Sequence, residues 1–235
     1  KELGENYIQA FETNLKCKYI IFGINFVLLY IIMYFTNRGI KKGLKEFFDS
    51  EKKEMPKLPN KSLALIISAI TSAFVSNTLV QKVILGLSNT SFGKTESVFG
   101  LDIGYYFFQK PLIDQILTYV FWLVIGLTLY MALYYIIVFN RYFDGVDRTI
   151  LRESTFIKKI LRNIMIIAII FGIGTILNTQ NILFGKIVTV ENSATTRFDG
   201  VSSNLELTGA SYTDTTIKRW GYTIFGILII ICVGI

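Results

Sequence analysis

A long apolar run spans residues 112–139, which read LIDQILTYVFWLVIGLTLYMALYYIIVF. Its only charged residue is Asp114, close to the start. About 20 consecutive, mostly apolar residues are enough to cross the hydrocarbon core of a bilayer. Pro111 precedes the run, at a position where a helix does not need a backbone N–H donor. The run therefore predicts a transmembrane helix that is long enough to tilt or to project from the bilayer.

Four further runs have a similar character. They cover residues 17–35, 62–85 and 160–177, and a last run begins near Trp220 and continues to residue 235. The run at 62–85 is the least apolar, and the alternative for it is a re-entrant or interfacial segment. Only 17% of the residues are charged, and the mean hydropathy is +0.50, whereas soluble domains carry about 25% charged residues. The expected fold is an all-α polytopic membrane bundle of about five transmembrane helices.

The loops between these runs differ in positive charge. The loops 36–61 and 140–159 are rich in lysine and arginine, and the loops 86–111 and 178–219 are poor in them for their length. Two helices separate the basic loops, so both lie on one side, which the positive-inside rule makes cytoplasmic. We therefore expect a multi-pass membrane protein, with the N-terminus of this chain outside. The same distribution explains the net charge of +7 without a nucleic-acid partner.

The residue types that most often carry chemistry are scarce. Histidine is absent, and the two cysteines, Cys17 and Cys232, lie at the edge of or inside apolar runs. No metal site, cofactor or disulfide framework is therefore predicted. Gly172 and Gly174 lie inside a helix, where they favour close helix packing over nucleotide binding. A membrane-embedded enzyme would need converging ionisable groups, for which Asp102 and Asp214 are the only candidates, so a non-enzymatic protein is expected.

The second apolar run carries an organised polar feature. Ser68, Ser72 and Ser76 recur every four residues, with Asn77 beside them, so they form a weakly polar stripe on one helix face. The stripe is typical of helix packing, because small residues let backbones approach closely. The alternative is the wall of a polar path through the membrane. In the first run, Asn25 is the only strongly polar interior residue.

Two regions outside the apolar runs have a recognisable pattern. Residues 98–110 are rich in tyrosine and phenylalanine, which predicts a short amphipathic segment in the outer interface. The loop 178–219 contains alternating stretches at 187–190 and 205–208, with the turn signal Asp199-Gly200 between them. This pattern predicts a small extracellular β-containing loop.

Residues 99–111 read FGLDIGYYFFQKP, and residues 209–214 read GASYTD. These two phrases resemble those of the UPF0182 family of bacterial membrane proteins. The chain departs from the family pattern at Glu96 and Ser97, where Asp-Pro is common, and at Lys110. The resemblance implies a protein of the bacterial inner (plasma) membrane, with a membrane domain of seven helices followed by a large extracytoplasmic domain. This chain would then be an internal fragment that covers helices two to six. The resemblance implies no catalytic residue.

The matched phrases supply the candidate structural and interface residues. Gly100 and Gly104 are expected to permit a sharp turn, and Asp102 to cap a short helix. Both phrases fall on the predicted outer face, where we expect them to touch and to form a platform for the extracytoplasmic domain. The full set is Phe99, Gly100, Asp102, Gly104, Tyr105, Pro111, Gly209, Tyr212 and Asp214.

These observations favour a membrane domain that anchors and supports an extracytoplasmic module and that handles lipid or envelope components. The alternative is a transporter or channel for a small or lipidic substrate. The partners that this interpretation allows are the bilayer, a bound lipid, a second copy of the chain and a protein of the envelope.

Overall fold

The computed structural model of the protein describes residues 2–57, 59–88, 90–143, 155–184, 188–190, 205–207 and 212–234. Within these ranges the protein is mainly helical, and five helices are long and apolar enough to cross a membrane, in agreement with the number predicted. They are α1 (Glu2–Ser50), α2 (Asn60–Ser88), α3 (Lys110–Tyr142), α4 (Thr155–Asn178) and α5 (Arg219–Gly234). A 3-10 turn, Thr179–Phe184, follows α4 directly.

The first helix is much longer than the apolar run that predicts it. Its 49 residues correspond to about 74 Å at 1.5 Å per residue, more than twice the thickness of a hydrocarbon core. The segment 36–61, predicted to be a loop, is therefore helical as far as Ser50. The reason is the spacing of Leu44, Phe47 and Phe48, which places three buried side chains on one face. The helix ends where Lys52 adopts a left-handed conformation.

The third helix begins earlier than its apolar run. Tyr105–Gln109 form a π-helical turn in which the Lys110 N–H donates to the Tyr105 carbonyl, and α3 continues directly from it. The tyrosines and phenylalanines of 105–108 are thus the first turns of a spanning helix, whereas the sequence predicts a separate segment. Their position in the membrane interface stays a prediction.

The chain divides into two compact units, Lys1–Glu96 with Leu101–Ile167, and Ser97–Gly100 with Ala168–Ile235. The aromatic core of the first unit lies where the basic end of α1 meets α3 and α4. Phe47 and Phe139 pack edge to face with their ring centroids 4.9 Å apart, and the centroids of Tyr135 and Phe156 are 4.1 Å apart. Apolar side chains along the middle of α3, such as Trp122 and Leu133, are exposed. This distribution suits helices whose solvent is lipid.

In the second unit, two glycines let α4 and α5 come into contact. A Cβ atom on Gly172 would lie 2.9 Å from the Gly226 carbonyl oxygen, and one on Gly226 would lie 2.7 Å from the Gly172 carbonyl oxygen. Both distances are shorter than real Cβ atoms allow. The packing role predicted for Gly172 is therefore confirmed.

Two short strands occur between α4 and α5. Val188–Val190 pairs antiparallel with Leu205–Leu207, with Val188 opposite Leu207. The predicted turn at Asp199-Gly200 lies outside the described residues. A small extracellular β-containing loop therefore stays a prediction.

Replacing Gly226 with valine should destabilise the contact between α4 and α5, because the added side chain would meet backbone. We expect a loss of about 1–3 kcal/mol in the free energy of unfolding, measured by SDS titration in mixed micelles. Gly221→Val, on the same helix with open space at its Cβ position, is the control and should change little. Equal stability of the two variants would contradict the packing described here.

Candidate membrane-embedded site

An asparagine within the apolar part of α1 joins three helices. The Asn25 side chain, only 9% exposed, donates from Nδ2 to Ser72 Oγ over 3.0 Å. Its Oδ1 accepts a hydrogen bond of 2.7 Å from the Tyr119 hydroxyl. Since water does not reach the bilayer core, polar groups there must find partners within the protein. This set, the Asn25 bridge (Asn25, Ser72 and Tyr119), therefore fixes α1, α2 and α3 against one another.

A second bridge lies toward the basic end of the same helices. Asn37 Nδ2 donates to the Asn60 carbonyl oxygen, and Asn37 Oδ1 accepts from the Tyr130 hydroxyl, both at 2.8 Å. The Tyr134 hydroxyl donates to Asn60 Oδ1, also at 2.8 Å. We call this set the Asn37 bridge (Asn37, Asn60, Tyr130 and Tyr134). It holds the first turn of α2 between α1 and α3.

Between the two bridges, the helices leave an open space. Asn25 and Asn37 are separated by about 18 Å along α1, and Tyr119 and Tyr130 by about 17 Å along α3. A cavity of about 300 Å³ occupies this interval. We call it the tyrosine cleft, because Tyr119 and Tyr130 are among its lining residues. The full lining is Leu29, Met33, Ile67, Ser68, Thr71, Val75, Tyr119, Trp122, Leu123, Gly126, Leu127 and Tyr130.

The walls of the tyrosine cleft are mainly apolar. Its lining residues, all within the described part of the chain, carry no charge. The hydroxyls of Tyr119 and Tyr130 are engaged by the two asparagines, so each ring presents mostly its apolar body to the cavity. At Gly126 an added Cβ would meet nothing within 4 Å, which leaves that part of the wall open. A volume of this size suits part of a lipid chain, or a small apolar ligand.

The serine stripe of α2 is buried and internally hydrogen-bonded. Ser68 donates to the Ala64 carbonyl oxygen at 2.6 Å, and Ser76 to that of Ala73 at 3.0 Å. Ser72 belongs to the Asn25 bridge. These contacts favour the packing interpretation of the stripe. Asn77, which the sequence places beside the stripe, is exposed, because neighbouring helical residues point about 100° apart.

Asp102 organises the turn before α3. Its carboxylate accepts hydrogen bonds from the Ser91 hydroxyl at 2.7 Å and from the Gly104 N–H at 2.6 Å. It also accepts from the N–H groups of Phe92 and Gly93, each at 3.1 Å. The Ser91 hydroxyl, followed by the Gly104 and Phe92 N–H groups, holds the pKa of the Asp102 carboxyl below its usual value. Asp102 thus caps the helical segment that begins at residue 103 and ties it to the turn at 91–93.

Glycine is required at two positions around Asp102. A Cβ atom on Gly104 would lie 2.2 Å from the Thr90 carbonyl oxygen, so the close approach of these backbones needs glycine. Gly100 has a φ of +70°, in the left-handed region that side chains disfavour. The sharp turn predicted from these two glycines is present in the fold.

The rest of the first phrase has local structural roles. Pro111 lies in the first turn of α3, and the ring of Tyr105 packs edge to face on that of Tyr106. Lys110 is buried, with its side chain 3% exposed, and forms an ion pair of 2.5 Å with Asp114. The four-residue spacing of Lys110 and Asp114 could have predicted this pair from the sequence.

In the second unit, the first phrase contacts the helix that follows the second phrase. Arg219 Nη1 donates to the Val98 carbonyl oxygen at 3.2 Å, and its guanidinium carbon lies 4.6 Å from the centroid of the Phe99 ring. Asp214 pairs with Lys218, and Tyr212 is 82% exposed. Gly209 lies outside the described residues. The predicted contact between the two phrases themselves stays a prediction.

The two acids considered for catalysis are both held locally, Asp102 by the turn and Asp214 by Lys218. In the ranges that the structure describes, no group of three or more histidine, cysteine, aspartate or glutamate side chains could hold a metal ion.

The sequence singles out Asn25 as a deep polar residue but does not single out the tyrosines that bond to the asparagines. A usable signal was present: Tyr130 and Tyr134 recur at four-residue spacing inside an apolar run, and a buried tyrosine usually needs a partner for its hydroxyl. The sequence does not show which distant residue supplies that partner.

These features define a multi-pass α-helical membrane protein with a small apolar cleft. The chain belongs to the UPF0182 family, described as an uncharacterised protein family, whose family model matches residues 2–235. The resemblance of the two phrases is thereby confirmed. A curated UPF0182 protein of Caldicellulosiruptor saccharolyticus is 24% identical over 140 residues, which cover 60% of this chain and 15% of that protein. No solved structure matches the chain.

Removing the Tyr119 hydroxyl should leave Asn25 Oδ1 without its partner. We expect Tyr119→Phe to lower the free energy of unfolding by about 0.5–1.7 kcal/mol, the range for hydrogen bonds between membrane helices. Tyr34→Phe is the control, since the Tyr34 hydroxyl has no hydrogen-bond partner among the described residues. SDS titration of both variants measures the difference, and an unchanged Tyr119→Phe would argue against the Asn25 bridge.

The Asp102 turn should loosen in acid. Its pKa is depressed in the folded state, so the carboxylate stabilises the turn above the unfolded pKa of about 3.9, and this contribution is lost as pH falls through the folded pKa. Hydrogen exchange of residues 91–104, corrected for intrinsic rates, should therefore accelerate below about pH 4. Asp102→Asn should exchange faster at neutral pH and show no such step. Exchange that depends on neither pH nor the substitution would count against this role.

Proposed function

We propose that this chain is the membrane domain of a protein whose extracytoplasmic module it anchors and supports, and that its tyrosine cleft holds lipid. On this proposal the basic segments lie in the cytoplasm of a bacterial cell, and the turn around Asp102 lies on the outer side. The observation that carries the lipid part is the tyrosine cleft, which is apolar and lies among three spanning helices.

The two bridges support a cleft that persists without a ligand. Asn25 and Asn37 each hold α1, α2 and α3 together at one end of the tyrosine cleft. The three helices are therefore joined at two positions along their length, one on each side of the cleft. An apolar cavity that is already formed lowers the conformational cost of binding an apolar chain. Trp122, which is 63% exposed, extends the apolar wall toward the surrounding lipid.

The anchoring part is supported by the chain's relation to a longer protein. The aligned residues make up only 15% of the Caldicellulosiruptor relative, so most of that protein lies outside the part described here. The turn fixed by Asp102, with Gly100 and Gly104, provides a rigid outer feature on which a further domain could rest. The predicted partners (a second copy of the chain or an envelope protein) belong to this proposal.

A transporter or channel is the alternative. It requires a polar path, for which the serine stripe was the sequence candidate. Ser68 and Ser76 bond to carbonyls of their own helix, and Ser72 is held by Asn25. These bonds support packing better than conduction, and a catalytic role finds no support in the locally paired acids. We therefore favour an anchoring domain that binds lipid over a transporter or channel and over an enzyme.

The experiment fills the cleft with a bulky side chain and measures how much lipid stays bound to the protein. Full-length protein is solubilised gently from its own membrane and examined by native mass spectrometry after delipidation. We expect a stoichiometric lipid on the wild type and its loss in Gly126→Phe, because the ring enters the cleft. Gly23→Phe, on α1 with open space at its Cβ position, is the control and should keep the lipid.

Either of two results would contradict the lipid proposal. One is a wild-type protein that retains a co-purifying protein but no lipid, which would support a scaffold role without lipid binding. The other is an ion or solute flux through reconstituted wild-type protein that Gly126→Phe blocks, which would favour the channel.

A further inference from the structure

A second cavity in the first unit combines an apolar wall with fixed positive charge. It has a volume of about 440 Å³ and lies among α1, α3 and α4. Ile31, Phe35 and Leu127 line its apolar side, and Lys159 and Arg162 line the other. It differs from the tyrosine cleft, whose lining residues carry no charge, and the two cavities have only Leu127 in common among their lining residues. An inference about it therefore does not depend on the proposed function.

Lys159 is held in place by α1. Its ammonium group donates a hydrogen bond to the Gly39 carbonyl oxygen. A Cβ atom on residue 39 would lie 2.5 Å from Lys159 Nζ, so glycine there makes room for the ammonium group. One hydrogen bond to a carbonyl leaves two N–H donors of the ammonium group available. Lys159 therefore points a fixed charge toward the cavity.

The two positive charges at the cavity form no ion pair within the part of the chain that the structure describes, since neither Lys159 nor Arg162 has a salt-bridge partner there. The acid of α1 on this side, Glu46, acts on Lys159 only through space, because its two carboxylate oxygens share the hydrogen bond that the Thr155 hydroxyl donates. Asn163, 8% exposed, donates to Thr128 Oγ1 at 3.1 Å and so fixes this face of α4 against α3. Two cations without an ion-pair partner among the described residues favour an external anion.

The shape of the cavity indicates what kind of anion fits. From Gly39 to Ile31 the α1 wall runs about 12 Å along the helix, from the charged end into the apolar span. A free anion would leave this wall unused, and a neutral lipid would leave the two cations unpaired. A phosphodiester with an acyl chain satisfies both ends at once. Arginine is well suited to the phosphate, because its planar guanidinium can form two parallel hydrogen bonds.

We propose that this cavity binds an anionic phospholipid from the leaflet on the side of the basic segments. Its phosphate contacts Lys159 and Arg162, and one acyl chain lies along Ile31, Phe35 and Leu127. By the charge distribution of the sequence, that leaflet is the cytoplasmic one. The bound lipid then links α4 to α1 and α3 through its charge, at the point where Lys159 reaches the Gly39 carbonyl.

The test measures lipid affinity and its dependence on charge. Full-length protein in neutral detergent is titrated with phosphatidylglycerol and, separately, with phosphatidylcholine, and bound lipid is counted by native mass spectrometry. We expect tighter binding of phosphatidylglycerol. Arg162→Gln should weaken that binding by about tenfold or more, the effect of losing a charged hydrogen bond. Lys159→Gln should do the same, and Arg162→Lys should weaken it less.

Two controls separate this site from its alternatives. Lys158→Gln removes a neighbouring exposed cation that does not line the cavity, and it should leave phosphatidylglycerol binding unchanged. Inorganic phosphate should compete only weakly, because it lacks the acyl chain. Arg162 is exposed, so its variant should fold even if Lys159→Gln does not. Equal binding of the two lipids, an equal loss in Lys158→Gln, or full competition by inorganic phosphate would each overturn the proposal.

Discussion

Polar side chains inside a bilayer must be satisfied by the protein itself, and Asn25 and Asn37 impose this constraint on the helices described here. Asn25 lies within the apolar run of α1 and Asn37 just beyond it, and both are buried, so each amide needs neighbours that offer it both a donor and an acceptor. For Asn25 the partners are Ser72 and Tyr119, and for Asn37 they are Asn60 and Tyr130. The register of α2 and α3 against α1 follows from these two requirements.

The rest of the first unit is arranged around that register. Beyond the Asn37 bridge, the basic end of α1 stays helical because Leu44 and Phe48 find an aromatic core against α3. Between the bridges the helices are held at both heights but do not fill the space, which leaves the tyrosine cleft. On the other side of α1, Gly39 admits Lys159 and so creates the charged cavity. Both cavities are thus consequences of how α1 is held.

Much of this architecture could be predicted from the sequence, since it depends on local composition. Length and apolarity were enough for five spanning helices, and two short phrases were enough for the family. Asp102 and Gly104 could be assigned to a turn because their roles are local in the chain. The sequence does not predict the helical extension of α1 to Ser50. The basic residues of this extension are typical of a loop, and its buried face depends on contacts with residues of α3.

The sites were harder to predict, because they depend on partners distant in the sequence. Asn25 was recognisable as a deep polar residue, but its partner Tyr119 is 94 residues away, and nothing local links the two. The same holds for Lys159 and Gly39, which are 120 residues apart. Asn77 follows Ser76 in the sequence and was therefore predicted to lie beside the serine stripe. In the helix, however, its side chain points outward.

A cryo-EM map of the full-length protein in lipid nanodiscs would decide whether the two asparagine bridges hold open a lipid-binding cleft. We expect Tyr119 and Tyr130 at the two ends of an elongated non-protein density that follows the apolar walls between them. A closed interval, with α2 and α3 in contact at Gly126 and no density, would contradict this description. So would a continuous water-filled path along the serines of α2.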